Sequence, residues 1–275
     1  MNNSISMKHA WLIIAHNEFG ILQILVSMLD DARSDFYIHI DKKVKRLPEV
    51  HAAKGRIYIL EDRVDVRWGT VSQIQTELVL LDAALRNGPY DYYHIISGTT
   101  LPLKPFEAID TYFQSAQGKS VVTGFRKDEP YQEMLKIHQF NLFTRNFGSS
   151  NTFLRATSQF CWKAAIAVQR LLHITTNPEG SFYKAGNWLS LTEEAVRYLL
   201  SRKEAILKTY RYSFCGDEYF VPSELMAAPS LCGKIVNDDK YLKDDMGRSN
   251  AKTFHLSDYQ ELSKSRYLFA RKFAA

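Results

Sequence analysis

Short apolar runs alternate with amphipathic segments through the first half of the chain, the pattern of a parallel sheet flanked by helices. Trp11 to Ala15 reads as a buried strand, Phe19 to Leu29 as a helix, Phe36 to Ile40 as a second strand and Ile57 to Leu60 as a short third. From Thr70 onward Val71, Ile74, Leu78, Leu81 and Leu85 recur at helical spacing, with Thr70 as N-cap and Gly88 just past the end. Tyr92 to Ile96 follows as a central strand, Ser97-Gly98-Thr99-Thr100 as the polar loop leaving its carboxyl end, and Ser120 to Gly124 as a further strand.

The second half carries a weaker pattern. Tyr131 to Phe160 mixes aromatic and polar residues without a period and predicts no element. Phe160 to Leu172 reads as helical, and Thr192 to Ser201 as a helix capped by Thr192, with Glu193 and Glu194 at the positive end of its dipole. Ser257 and Gln260 have the capping-box spacing, which predicts a final helix starting there.

The 275 residues, 45% apolar and 24% charged, suit one α/β domain with a sizeable core, and no linker divides them. A net charge of +5 favours an anionic ligand or an anionic membrane surface. The lysines are dispersed, so nucleic acid is not expected as a partner. Near the start, the apolar run Ala10 to Ala15 is far short of the ~20 residues of a membrane span, and residues 1–8 lack a signal-peptide core. A cytoplasmic location is the expectation. Cys161, Cys215 and Cys232 show no metal-site or disulfide spacing and are expected to be reduced and mostly buried.

Candidate chemistry collects at predicted strand ends. His16, in Ala15-His16-Asn17, follows the first strand, and Asp41, in His39-Ile40-Asp41-Lys42-Lys43, follows the second. Ligands of open α/β sheets gather at such ends, and Asp41 could accept from a ribose or a uracil. Trp68, before Gly69 and the long helix, is either the wall of a base or a core anchor. No Asp-x-Asp pair occurs in the chain, while Lys252 and Lys272 flank the final helix. A departing diphosphate needs positive charge, and side chains supply it where no metal motif does.

Taken in order, these pieces resemble the core-2/I-branching N-acetylglucosaminyltransferase family in its bacterial branch, which also includes peptide O-xylosyltransferases. The resemblance rests on Ile14-Ala15-His16-Asn17, the His39 to Lys43 string, Trp68-Gly69, Tyr90-Asp91 through Pro102-Leu103-Lys104, Gly186-Asn187-Trp188, Asp217-Glu218, and Leu268 to Phe273. It covers nearly the whole chain, with 126–184 as the stretch without an anchor.

That resemblance implies a GT-A-like single domain with a mainly parallel nucleotide-binding sheet, a donor half over about 8–125 and an acceptor and catalytic half over about 126–275. It implies inverting, metal-independent transfer of a sugar from a UDP-sugar donor to a glycan or lipid-linked glycan, with no cofactor. GlcNAc leads among donor sugars, with xylose and glucuronic acid as alternatives. In the roles it assigns, Glu218 is the base, and Lys272 with Lys252 holds the diphosphate, Arg248 competing for the second position. His16, Asp41 and Trp68 line the donor and Trp188 the acceptor. Asn187 and Thr100 depart from the family's usual Ser and Asp. Synthesis of a bacterial surface polysaccharide, with peripheral contact at the inner membrane, is the expected setting. A noncatalytic nucleotide-sugar or glycan-binding module and a nucleic-acid-binding α/β protein are the rival readings.

Overall fold

The computed structural model describes residues 6–177, 180–244 and 252–274. Its strands are β1 (His9–Ala15), β2 (Ser34–Ile40), β3 (Arg56–Ile59), β4 (Tyr92–Ser97), β5 (Leu101–Pro102), β6 (Ser120–Val122), β7 (Leu189–Thr192), β8 (Ile235–Asn237), β9 (Leu242–Asp244) and β10 (Phe269–Arg271). Helices are α1 (Phe19–Leu29), α2 (Ser72–Asn87), α3 (Phe106–Ser115), α4 (Pro130–Lys136), α5 (Thr152–Leu171), α6 (Glu193–Ser201), α7 (Lys203–Thr209), α8 (Phe220–Ala227) and α9 (Tyr259–Ser263). Seven strands form one sheet in the order β3-β2-β1-β4-β7-β6-β8, and β5-β10-β9 form a small second sheet. All neighbours in the large sheet run parallel except β7, which is antiparallel to β4 and β6. This is the α/β architecture expected, with strands from both halves of the chain in one sheet.

Apolar residues on both faces of β1 place the sheet between two cores. Ala10 and Leu12 pack with Ile74, Leu78 and Leu81 of α2. Trp11, Ile13 and Ala15 pack on the other face with Leu22 and Leu25 of α1 and Phe113 of α3. A buried polar relay crosses the same sheet. Asp110 of α3 lies 2.9 Å from His9 Nε2, His9 Nδ1 is 2.9 Å from His94 Nε2, and His94 Nδ1 is 2.7 Å from Ser190 Oγ. Burial holds both histidines below their ordinary 6.5, His94 far below, so the rings are neutral. A carboxylate only accepts; His9 therefore donates from Nε2 and accepts at Nδ1 from His94.

Several expectations shift. The long helix starts at Ser72 rather than after Thr70, whose hydroxyl donates to the Arg67 carbonyl (3.0 Å) instead of capping. Gly88 follows the helix in extended rather than left-handed conformation. α5 begins eight residues before the expected Phe160, because the Asn151 side chain accepts from the N–H groups of Phe153 and Leu154. Thr192 caps α6 as expected. The capping box at Ser257 does not form; Asp258 precedes α9 and accepts the His255 N–H at 2.8 Å. Of the three free cysteines, Cys215 alone is buried, Cys161 is half-buried and Cys232 exposed, against the expectation that most are buried. Among the described residues no helix is long and apolar enough to cross a membrane.

Candidate active site

The strand order reverses beside β1, at the carboxyl end of the sheet. From β1 the chain builds outward through β2 and β3 and returns to β4 on the other side of β1, the kind of reversal beside which open α/β sheets bind ligands. His16 leaves β1 and is exposed. Asp41 leaves β2, and 97–100 leaves β4. Because β7 is antiparallel, the Gly186-Asn187-Trp188 segment enters at this same end. There the Gly186 N–H donates to the Thr123 carbonyl at 2.8 Å. A Cβ on Gly186 would lie 2.6 Å from Thr123 Oγ1, so a larger residue there would have to displace that hydroxyl.

Lys272 reaches the loop after β4 through backbone pairing. Its N–H donates to the Lys252 carbonyl (3.2 Å), its carbonyl accepts from Phe254 (2.8 Å), and the Phe273 N–H donates to Thr99 (3.0 Å). The segments carrying Lys252 and Lys272 thus lie side by side against the loop after β4. His16 senses the result: partial burial lowers its pKa, Asp41 opposes this, and the Lys43 and Lys272 ammonium groups add to the lowering. His16, Asp41, Lys43 and Lys272 therefore share one electrostatic neighbourhood. Lys252 Nζ sits 2.7 Å from Asp258 Oδ1. Arg248 lies outside the described residues.

Asp41 is less available than its position implies. Its Oδ1 accepts the Lys43 N–H (2.8 Å) and its Oδ2 the Lys43 ammonium (2.6 Å).

Glu218 ends a 3-10 turn, Gly216–Glu218, ahead of α8. Its carbonyl accepts the Ala185 N–H at 2.9 Å, which ties it to the segment leading into β7. Its Oε2 lies 3.1 Å from Lys184 Nζ and 3.3 Å from Lys136 Nζ. Burial, the largest single influence, works against the Lys136 charge, but Glu218 and Cys215, with the hydrogen bonds to Glu218 and Lys184, together hold Lys136 above its ordinary value. Beside it Asp217 is fully enclosed, and its Oδ2 accepts from Gln73 Nε2 (2.6 Å) and closely from Asn187 Nδ2. Burial, then the adjacent Glu218 charge, pushes Asp217 up to about 7. Glu77 of α2 is buried too and pushed well up, by burial and then by Asp217. Asp217 Oδ1 and Glu77 Oε2 have no hydrogen-bond partner among the described residues.

Trp68 is 56% exposed and meets Phe214 edge-on at 5.3 Å, which removes the core-anchor alternative. Gly69 behind it has φ 76°, and a Cβ there would lie 2.5 Å from the Phe214 ring. Its carbonyl accepts from the Cys215 N–H (2.9 Å), and its N–H donates closely to Gln73 Oε1. Gln73 therefore bridges the Trp68 loop to Asp217. Trp188 is half-buried between the two cores, with the Arg271 guanidinium 5.1 Å above its ring. One indole face is thus covered by Arg271. Arg271 adjoins Lys272, so the 185–188 segment runs from Glu218 to the cationic end of the site.

Three contributors had no reading in the sequence. Lys136 lies in the stretch without a period, Lys184 at the end of the unanchored stretch, and Gln73 resembles a solvated polar residue in a helix's first turn. Among the described residues no three His, Cys, Asp or Glu side chains converge as a metal cluster. An apolar cavity of about 450 Å³, walled by Met28, Leu101, Leu103, Tyr259, Leu262 and Phe273, lies apart from Glu218 and carries no carboxylate.

The model of the Core-2/I-Branching enzyme family, Branch, matches residues 9–263; Lys272 lies beyond that match. Among solved structures, mouse xyloside xylosyltransferase 1 in its apo form is 9% identical, with 96% of each chain covered and a TM-score of 0.40. The WbbM bifunctional glycosyltransferase, also apo, is 10% identical, with 98% of this chain and 46% of that one covered at a TM-score of 0.42. No curated protein matches the chain.

Proposed function

The chain belongs to the core-2/I-branching enzyme family and is a glycosyltransferase, and on that premise we propose that it transfers a sugar from a UDP-sugar to a glycan hydroxyl with inversion and without a metal. GlcNAc is the leading donor sugar, with xylose and glucuronic acid as the alternatives. The acceptor is a glycan or lipid-linked glycan of bacterial surface-polysaccharide synthesis.

In this reading Glu218 takes the proton from the acceptor hydroxyl as that oxygen attacks the anomeric carbon. The bond from that carbon to the β-phosphate oxygen breaks on the opposite side, and UDP leaves with the electron pair. Lys272 and Lys252 neutralise the departing diphosphate. An ammonium has three donors, so Lys252 can keep Asp258 and still meet a phosphate oxygen. Trp68 and His16 flank the nucleotide, Asp41 acts through Lys43, and Trp188 supports the acceptor side through the backbone it anchors.

The carrying observation is the pairing of the 252–254 and 271–273 segments against Thr99, which brings two lysine-bearing segments to the loop after β4. Calorimetric titration with UDP, in excess EDTA and again with Mn2+, tests the reading. Affinity that survives EDTA supports cations in place of a metal. Affinity seen with Mn2+ alone overturns it, and UDP binding without transfer or hydrolysis would favour the noncatalytic module.

A further inference from the structure

α5 is the helix whose apolar residues the fold leaves outside. Its buried residues are Ser158, Ile166 and Gln169, on the face where Trp162 donates its indole N–H to Asn141 at 2.9 Å. At about 100° per residue, Phe153, Phe160, Ala164 and Leu171 fall within about 40° of one another on the opposite face. Phe153 is 75% exposed, Phe160 72% and Leu171 78%. Lys163 and Arg170, both exposed and about 80–100° round from it, form one flank of this stripe, and residues 152–171 include no Asp or Glu. Among the described residues, eleven of the sixteen exposed large hydrophobic side chains lie between Tyr131 and Ile174, so the apolar surface is concentrated around this helix rather than scattered.

We propose that α5 is an interfacial helix that docks the protein on an anionic lipid bilayer. Phe153, Phe160 and Leu171 enter the boundary of the acyl chains, and Lys163 and Arg170 meet the headgroup phosphates. Charge decides between a bilayer and a second copy of this chain. An antiparallel two-fold pairing of α5 would set basic flank near basic flank with no acidic residue on the helix to answer it, whereas an anionic surface complements both cations. The helix lies in the plane of the surface, since it has a buried inner face and is not apolar enough to span. Trp162 on the inner face is 6.2 Å from Phe214, which in turn contacts Trp68. One aromatic layer thus separates the bilayer-facing helix from the site, which suits a lipid-linked acceptor. Delivery of such an acceptor rests on the transferase reading; membrane docking does not.

Co-sedimentation with vesicles of phosphatidylglycerol and phosphatidylcholine, against vesicles of phosphatidylcholine alone, tests the assignment. Binding to the anionic vesicles is expected, weakening as salt rises. Exchanging Lys163 and Arg170 together for Gln should lower the partition coefficient by ~25-fold, about fivefold for each cation. Phe160→Ser with Leu171→Ser should lower it by ~10-fold or more. UDP titration and circular dichroism should not change in either variant, which separates loss of docking from loss of the fold or the nucleotide site. No binding by the folded protein, or equal binding to both vesicle types with no effect of either variant, would overturn the proposal. So would a concentration-dependent dimer that Phe160→Ser disperses, because a second copy would then cover the face.

Discussion

Replacing Asp217 with Asn keeps the shape of the side chain and removes its capacity to ionise. The amide oxygen can accept from Gln73 and Asn187 as Oδ2 does, and the amide nitrogen takes the place of Oδ1, which has no partner. Burial, with Glu218 behind it, pushes the carboxyl from its ordinary 3.8 up to about 7. The folded state therefore holds this proton more tightly than the unfolded chain, and ionisation of Asp217 opposes folding. The cost is absent below about pH 4, grows by up to ~1.4 kcal/mol per pH unit toward pH 7, and is complete above it at ~4 kcal/mol. Glu77 is present in both proteins and cancels to first order. Urea unfolding of wild type and Asp217→Asn across pH 4 to 8 should give a difference that is level at the acid end and rises through pH 4 to 7. At pH 8 the variant should be favoured by ~4 kcal/mol more than at pH 4. A difference independent of pH would refute the argument that burial holds Asp217 neutral.

Glu218→Gln should reduce turnover by ~100-fold or more, the scale of a lost general base, while calorimetry returns an unchanged UDP affinity; unchanged turnover would remove Glu218 from the role. Lys272→Ala should weaken UDP by ~10-fold or more, the worth of one charge-assisted hydrogen bond, and leave uridine almost unaffected. Equal losses for the two ligands would mean that the lysine acts on folding. Gly69→Ala forces a side chain into a left-handed backbone position and against Phe214, and should lower stability by ~1–3 kcal/mol in urea. An unmoved midpoint would show that the Trp68 loop relaxes without cost.

Legibility followed burial. β1, α1 and β2 were readable because their apolar residues face two cores and interrupt the polar background sharply. The start of α5 is hard to read because its inner positions are largely polar, Ser158 and Gln169 among them, while its apolar residues face outward. Its period therefore carries no core signal, although Asn151 was in place to announce the cap. β7 carries only a faint local signal, the brief alternation of Leu189-Ser190-Leu191-Thr192, and is drawn into the sheet by β4, about a hundred positions earlier. In the site, Glu218 and Lys272 were reached through family resemblance, since either charge alone reads as solvated surface. Asp41 and Lys43 were both visible two residues apart, yet their mutual ion pair shows only when the turn closes. Lys136 and Lys184 approach Glu218 from distant parts of the chain, and nothing near them in sequence announces it.

The Asp110-His9-His94-Ser190 relay has a consequence for how the sheet finds its alignment. A strand that alternates apolar and polar residues is aligned by which face is greasy, because a slip of one residue exposes the wrong set. β1 is apolar on both faces, so a slip against β4 would still bury hydrocarbon and the pattern alone would tolerate it. The relay would not tolerate it, since His9, His94 and Ser190 each meet a polar partner in one alignment and face hydrocarbon in the others. Strand pairing here is thus checked by a short polar code read across β1, β4 and β7, with Asp110 fixing the direction in which it is read. Erasing that code with apolar residues of similar size would leave a sheet that still collapses but has lost its proofreading.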